Sequence, residues 1–219
     1  MLENVKACFF DMDGTLIDSV WIWTDIDRDF LTSRGIIFDE QIQKKLDGMN
    51  FNQVANFFKN EFHLKETIEE LKEIWHEMAY KKYCNEVPLK DSAQKLLSLL
   101  KAKGIKLGIA TSNSKYLAMA CLKALEIEQL FDVIMTGDDV SVGKPSPDIY
   151  LECARACKVN PAECLVFEDI PVGIEAGHNA GMKVCTIYDK YSEDVDMLKH
   201  ETADYYIYSF NEVCSEVKQ

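Results

Sequence analysis

Apolar residues fall along this chain in two kinds of run. Val5, Ala7, Cys8, Phe9 and Phe10 make a short run of strand length, and similar runs recur near Lys106, Val133, Cys164 and Val184. Runs with little polar alternation fit strands covered on both faces of a parallel sheet. Between residues 17 and 85 the spacing is helical instead, with helices expected over 20–34, 39–46, 50–61 and 65–82 and with Gly35 and Gly48 as stops. Strand-compatible sequence resumes at Val87-Pro88, followed by a helix over 91–103 that Gly104 ends. Beyond it strand-like and helix-like runs alternate. That alternation predicts an α/β fold, a doubly wound parallel sheet built from 1–16 and 86–219, with residues 17–85 inserted as an α-helical cap. No internal repeat and no low-complexity tract interrupts it.

Open α/β sheets bind ligands outside the carboxyl ends of their strands. The first strand ends there in Asp11-Met12-Asp13-Gly14-Thr15. Two acids so placed would repel each other unless a cation neutralises them, and Mg²⁺, a hard ion that takes oxygen ligands, is the natural candidate. An Asp-x-Asp-Gly sequence is also ordinary turn composition, so the pair gains its weight from three more segments of the chain. The run at 106–110 ends in Thr111-Ser112-Asn113. Gly143-Lys144-Pro145-Ser146-Pro147-Asp148 precedes a helical stretch, and Leu165-Val166-Phe167 ends in Glu168-Asp169.

In order and spacing these four segments resemble the motifs of the haloacid dehalogenase-like (HAD) superfamily, and the resemblance covers essentially the whole chain. The inserted segment after the first motif and the Gly-Lys-Pro-x-Pro form look like the subfamily of small-molecule phosphatases, phosphoglycolate phosphatase and β-phosphoglucomutase. The resemblance implies a Rossmann-like core, Mg²⁺ as cofactor and phosphoryl transfer. Such a transfer needs an in-line nucleophile, compensation for charge on the equatorial oxygens, and a proton for the leaving oxygen. Asp11 is the expected nucleophile, forming an aspartyl-phosphate. Asp13 is the expected general acid and then base. Thr111, Ser112 and Asn113 are the expected phosphate-binding group, with the following helix N-terminus aiming N–H groups at the same place; simple helix capping is the alternative. Lys144 would bridge Asp11 and the phosphoryl group, the alternative being a solvated loop lysine. Glu168 and Asp169 would complete the Mg²⁺ shell with Asp11 and the backbone carbonyl of Asp13.

Composition narrows the partners. The chain has 219 residues, 47% of them hydrophobic, enough for one sizeable α/β domain and an insertion. A net charge of −13, from 37 acidic and 24 basic residues, argues against nucleic acid or an anionic membrane. An anionic small-molecule phosphate ester would be attracted only locally. No apolar run is long enough for a bilayer span and no signal core follows Met1, so a cytoplasmic protein is expected, and, with no long exposed apolar stripe, a monomer. The eight cysteines sit in apolar or helical contexts as buried thiols rather than in a disulfide or zinc pattern. His63, His76, His178 and His200 are scattered and form no catalytic or metal pair.

The cap separates two reactions. A β-phosphoglucomutase carries a histidine and an arginine there, and an ungapped reading from the first motif puts Trp23 and Phe51 nearest those positions. Without a guanidinium to clamp a second phosphate, hydrolysis becomes the better reading and mutase action the alternative. Trp23, Asn50 and Phe51, with Trp21 and Asn52, are the candidate cap residues near the leaving group, although Trp21 and Phe51 equally suit a cap core. A haloalkanoate dehalogenase is disfavoured because it needs one catalytic Asp and no metal. A non-catalytic binding or regulatory role on the same fold would not require every motif residue to be kept.

Overall fold

In a computed structural model of the protein, which describes residues 1–46, 49 and 51–217, the chain divides into two compact units. One joins Met1–Val20 to Val87–Gln219, and the other is Trp21–Glu86. Gly48 and Asn50 lie outside the described residues.

The first unit is a six-stranded parallel sheet. Its strands are β1 (Ala7–Phe10), β2 (Lys106–Ala110), β3 (Val133–Met135), β4 (Cys164–Glu168), β5 (Lys183–Ile187) and β6 (Tyr205–Ile207), in the order β3-β2-β1-β4-β5-β6. The first five stand where the apolar runs predict. The sequence pattern does not announce β6: it is a three-residue edge strand whose Tyr205 and Tyr206 are only half-buried, so it lacks the apolar signature of the centre. Order reverses at β1, since the chain moves outward through β2 and β3 and then returns to β4 on the other side. That switch point is where an open α/β sheet forms its ligand crevice.

Adjacent residues of a strand face opposite sides of the sheet, and β1 uses both. Phe9 packs with Tyr150, Cys153 and Ile174, from α7 (Asp148–Cys157) and α8 (Pro171–Asn179). Phe10 stacks on Phe167 at a centroid distance of 4.7 Å, and both rings meet Phe210 of α10 (Phe210–Val217) edge-on at 6.1 and 5.6 Å. Each such ring, fully buried, contributes roughly 1.5–3 kcal/mol by leaving water. Helices thus cover both faces, which explains why β1 and β4 carry no polar alternation. Also in this unit are α5 (Ala93–Ala102), which ends just before Gly104, α6 (Lys115–Ala124) and α9 (Asp196–Thr202).

The second unit holds α1 (Ile22–Thr32), α2 (Glu40–Leu46), α3 (Phe51–Glu61) and α4 (Ile68–Asn85), matching the four helices expected. Its centre is aromatic: Phe30, Phe58 and Trp75 lie 5.2–5.9 Å apart by ring centroid. Thr67 starts α4 with a capping box, accepting from the Glu70 amide while the Glu70 carboxylate accepts from the Thr67 amide.

Candidate active site

Register decides which side chains meet. Phe10 of β1 pairs with Ile109 of β2 and with Phe167 of β4, so the next residue along each strand, Asp11, Ala110 and Glu168, reaches the same carboxyl edge. The Asp11 amide still donates to the Phe167 carbonyl at 2.9 Å, which carries the ladder one residue past β1 and fixes where the Asp11 side chain leaves the sheet. Thr111 follows β2 and is anchored by its amide to the Met135 carbonyl at 3.1 Å.

Asp11, Glu168 and Asp169 each offer a carboxylate oxygen, and these atoms lie within 4.8 Å of one another. All three residues are buried. An ammonium faces them: Lys144 Nζ is 2.6 Å from Asp11 Oδ1 and 2.6 Å from Glu168 Oε1. The lysine is therefore drawn into the site and is not a solvated loop residue; its side chain is 5% exposed. Tyr150, fully buried in α7, donates its hydroxyl to the same Glu168 Oε1 at 2.6 Å, and Glu168 Oε2 accepts from the Asp169 amide at 3.2 Å. With two donors on Oε1, any metal contact by Glu168 falls to Oε2.

Asp169 is held from the first motif. Thr15 Oγ1 donates to its Oδ1 at 2.9 Å. Gly14, at a φ of +84°, lies so close that a Cβ there would collide with the Asp169 carboxylate. Gly173 plays the same part for Glu168, whose carboxylate occupies the space a Cβ would take. Asp13 stands apart from the trio. Its Oδ1 accepts from Ser19 Oγ at 2.7 Å and its Oδ2 from Asn113 Nδ2 at 3.2 Å. Asn113 Oδ1 accepts from the Ser114 amide, which turns the Nδ2 end toward Asp13.

Electrostatics follow from three buried acids and one base. Burial pushes the Asp11 carboxyl well above the usual range, and Glu168 and Asp169 add repulsion that Lys144 only partly offsets. Asp169 is pushed up to about 7, first by burial and then by Glu168. For Lys144, burial favours the neutral amine, but Asp11 and Glu168 outweigh it and hold the ammonium above its ordinary value. Burial also raises the Tyr150 phenol, so it remains a donor. The donor set, oxygens alone on three clustered carboxylates of which two rise in pKa, fits a hard divalent cation such as Mg²⁺.

Thr111 is buried, and its Oγ1 accepts from the Asn113 amide at 3.0 Å. The helix after it, α6, is capped by Ser114, which accepts from the Leu117 amide, while the Lys115 amide donates to Asp138. The amides of Asn113, Ser114, Lys115 and Leu117 thus have acceptors within the protein. Ser112 is exposed beside them. In the second unit Trp23 is 38% exposed and meets Phe51 edge-on at 5.7 Å; Phe51 also contacts Trp75 at 5.7 Å and stacks on His76 at 5.3 Å. Asn50 lies outside the described residues. Sequence reasoning misses Tyr150, Thr15 and Ser19, which carry no motif of their own. Thr15 is nonetheless visible as the hydroxyl closing the first motif, and Tyr150 as a phenol on the buried face of the helix after Asp148.

Residues 8–187 match the family model described as haloacid dehalogenase-like hydrolase. The chain belongs to the haloacid dehalogenase-like hydrolases. It is 31% identical over 179 residues, 82% of its length, to a phosphorylated carbohydrates phosphatase from Thermotoga maritima, of which the match covers 83%. The structure of a T. maritima protein classed as a β-phosphoglucomutase superposes with a TM-score of 0.87 at 28% identity, covering 98% of this chain and 99% of that one. CbbY from Rhodobacter sphaeroides, solved with bound phosphate, superposes at 0.78 with 25% identity, covering 95% and 96%. Among haloacid dehalogenase-like hydrolases, this chain is a phosphoric monoester hydrolase. None of its described helices is long and apolar enough to cross a membrane.

Proposed function

We propose that the protein is a Mg²⁺-dependent phosphatase that hydrolyses a small phosphorylated metabolite, a sugar phosphate or a similar monoester, through an aspartyl-phosphate on Asp11. The observation that carries this reading is the buried Asp11–Glu168–Asp169 trio opposed by the ammonium of Lys144. Three clustered acids without a second cation would be a costly arrangement to bury, so the site is built for a ligand that brings positive charge. Asp11, Glu168 Oε2 and Asp169 would hold Mg²⁺ together with the Asp13 carbonyl; bound there, the ion would neutralise charge on the transferring group.

Asp11 attacks phosphorus through the carboxylate that Lys144 orients, and the ester P–O bond breaks as the new bond forms. Asp13 donates a proton to the leaving oxygen, then takes one from the water that attacks the phosphorus of the phosphoenzyme and releases inorganic phosphate. Ser19 and Asn113 fix Asp13 for this role, and because a hydroxyl can also accept, Ser19 can serve the protonated carboxyl as well as the carboxylate. Thr111 Oγ1 spends its acceptor side on the Asn113 amide, which leaves its proton for a phosphoryl oxygen. Lys144 lies close enough to Asp11 to bridge it to the same group.

The likeness to a protein classed as a β-phosphoglucomutase favours a second reading, phosphomutase action. Trp23 and Phe51, neither of them a guanidinium, favour hydrolysis instead. The test is phosphate release from a panel of sugar phosphates, nucleoside monophosphates and β-glucose 1-phosphate, with Mg²⁺, with EDTA, and with Asp11→Asn. Metal-dependent release lost in the variant supports the phosphatase. Conversion of β-glucose 1-phosphate to its 6-phosphate with little release would establish the mutase, and binding without turnover across the panel would contradict both.

A further inference from the structure

Lys199, in α9, is fully buried, and the proposed chemistry makes no use of it. An ammonium is costly to bury unless it is paired and hydrogen-bonded. Its Nζ lies 3.0 Å from Ser192 Oγ and 3.3 Å from Asp196 Oδ1, and Asp196 also accepts from the Tyr206 hydroxyl at 2.9 and 3.0 Å. An ammonium can only donate, so its bond to Ser192 occupies a lone pair of that hydroxyl and leaves the serine's single proton to be given elsewhere. Two backbone carbonyls lie within reach: that of Asp169 at 3.1 Å and that of Asp189 at 3.3 Å. The shorter contact is to Asp169.

We infer that Lys199 and Ser192 are positioning residues, a buried relay that pins the backbone of Asp169 so that its carboxylate stays in the metal site. The inference rests on the metal reading of the Asp11–Glu168–Asp169 trio. Asp169 lies just past β4, one residue before the segment that enters α8, where no strand pairing holds its carbonyl. Its carboxylate oxygen lies within 4.8 Å of those of Asp11 and Glu168, and like charges that close push it away from them. Two contacts oppose that push. Thr15 donates to Oδ1, next to the space that Gly14, having no Cβ, leaves for Oδ2, and the Lys199–Ser192 pair tethers the carbonyl from the opposite end of the residue. The tether comes from residues 192–199, far in sequence from every motif. Partners of this kind hold metal ligands in place, and their loss typically weakens metal affinity about 10- to 100-fold.

The test titrates Mn²⁺ into the full-length protein and reads free Mn²⁺ by electron paramagnetic resonance, so that no substrate or turnover is needed. Wild type is compared with Ser192→Ala, Ser192→Thr, Lys199→Met and Asp169→Asn, and thermal unfolding in EDTA is followed for each. Ser192→Ala is expected to weaken Mn²⁺ binding about tenfold or more while remaining folded, and Ser192→Thr, which keeps the hydroxyl, to bind as wild type does. Ser192→Ala removes one atom, so the inference stays testable even if Lys199→Met does not fold. Wild-type affinity in Ser192→Ala, or equal loss in the alanine and threonine variants, overturns the relay and leaves the metal reading intact. If wild type and Asp169→Asn hold Mn²⁺ equally, the metal reading falls and the relay with it.

Discussion

Replacing Asp169 by asparagine should stabilise the metal-free protein while removing its activity. Asp169 is pushed up to about 7 from an ordinary 3.8, by burial first and Glu168 second. The folded chain therefore keeps a proton on this group over a range in which the unfolded chain has lost it. Stability contributed by that protonation is complete below about 4, falls as pH rises, and is gone above about 7. At about 1.36 kcal/mol per pH unit, the gap between the two values corresponds to about 4 kcal/mol of destabilisation at pH 8. Asparagine has the same shape, carries no charge and can still accept the Thr15 hydrogen bond through Oδ1. Its expected gain at pH 8 is thus at most about 4 kcal/mol, and at pH 5 it shrinks to about 2 kcal/mol or less. For a chain of this length each kcal/mol moves Tm by about 2–4 °C. The assay is thermal unfolding by circular dichroism in EDTA, at both pH values, for wild type and Asp169→Asn. Adding Mg²⁺ should raise the wild-type Tm more than that of the variant. A variant no more stable than wild type at pH 8, or a gain equal at both pH values, would refute the reasoning that Asp169 is a buried and poorly compensated charge.

The same geometry sets three other outcomes. Asp13→Asn should lower kcat about 10²- to 10⁴-fold without changing Mn²⁺ binding by much, since its carboxylate lies outside the acidic trio; steady-state kinetics beside the Mn²⁺ titration reads both. Lys144→Met takes away the ammonium that faces the acids and should cost about 3–5 kcal/mol in EDTA at pH 8, measured by urea unfolding, with Mg²⁺ restoring much of the stability but not the phosphate release. Tyr150→Phe removes one donor to Glu168 Oε1 and should cost about 1.5–3 kcal/mol by the same unfolding assay, with activity reduced but retained.

Much of this architecture is legible in the amino-acid order because the central strands are buried on both faces. Ala7–Phe10 and Cys164–Glu168 have no solvent side, so their apolar runs announce them, and the acids that break those runs mark where the sheet opens. Parallel pairing then brings Asp11 and Glu168 together across 157 positions without any local signal of contact. The residues that are not legible act from elements whose sequence is set by other demands. Tyr150 lies on the buried face of α7, where a phenol reads as one more core aromatic until its hydroxyl is seen against Glu168. Ser192 and Lys199 belong to the turn and short helix after β5, and only the fold carries them to the back of Asp169. The segment ahead of α6 is ambiguous as sequence in a different way. Ser112-Asn113-Ser114 suits a phosphate cradle and a cap equally well as sequence, and Ser114 does cap the helix, accepting from the Leu117 amide.

In the proposed reaction Asp11 becomes covalently phosphorylated. The most direct measurement is an acid quench of the protein turning over a ³²P-labelled ester, taken from the panel as the one hydrolysed fastest, with peptide mapping of the labelled chain. Hydroxylamine-sensitive label is expected on the peptide containing Asp11, dependent on Mg²⁺ and absent in Asp11→Asn. Phosphate release that proceeds with no label on that peptide at any quench time, or that persists in Asp11→Asn, would contradict it.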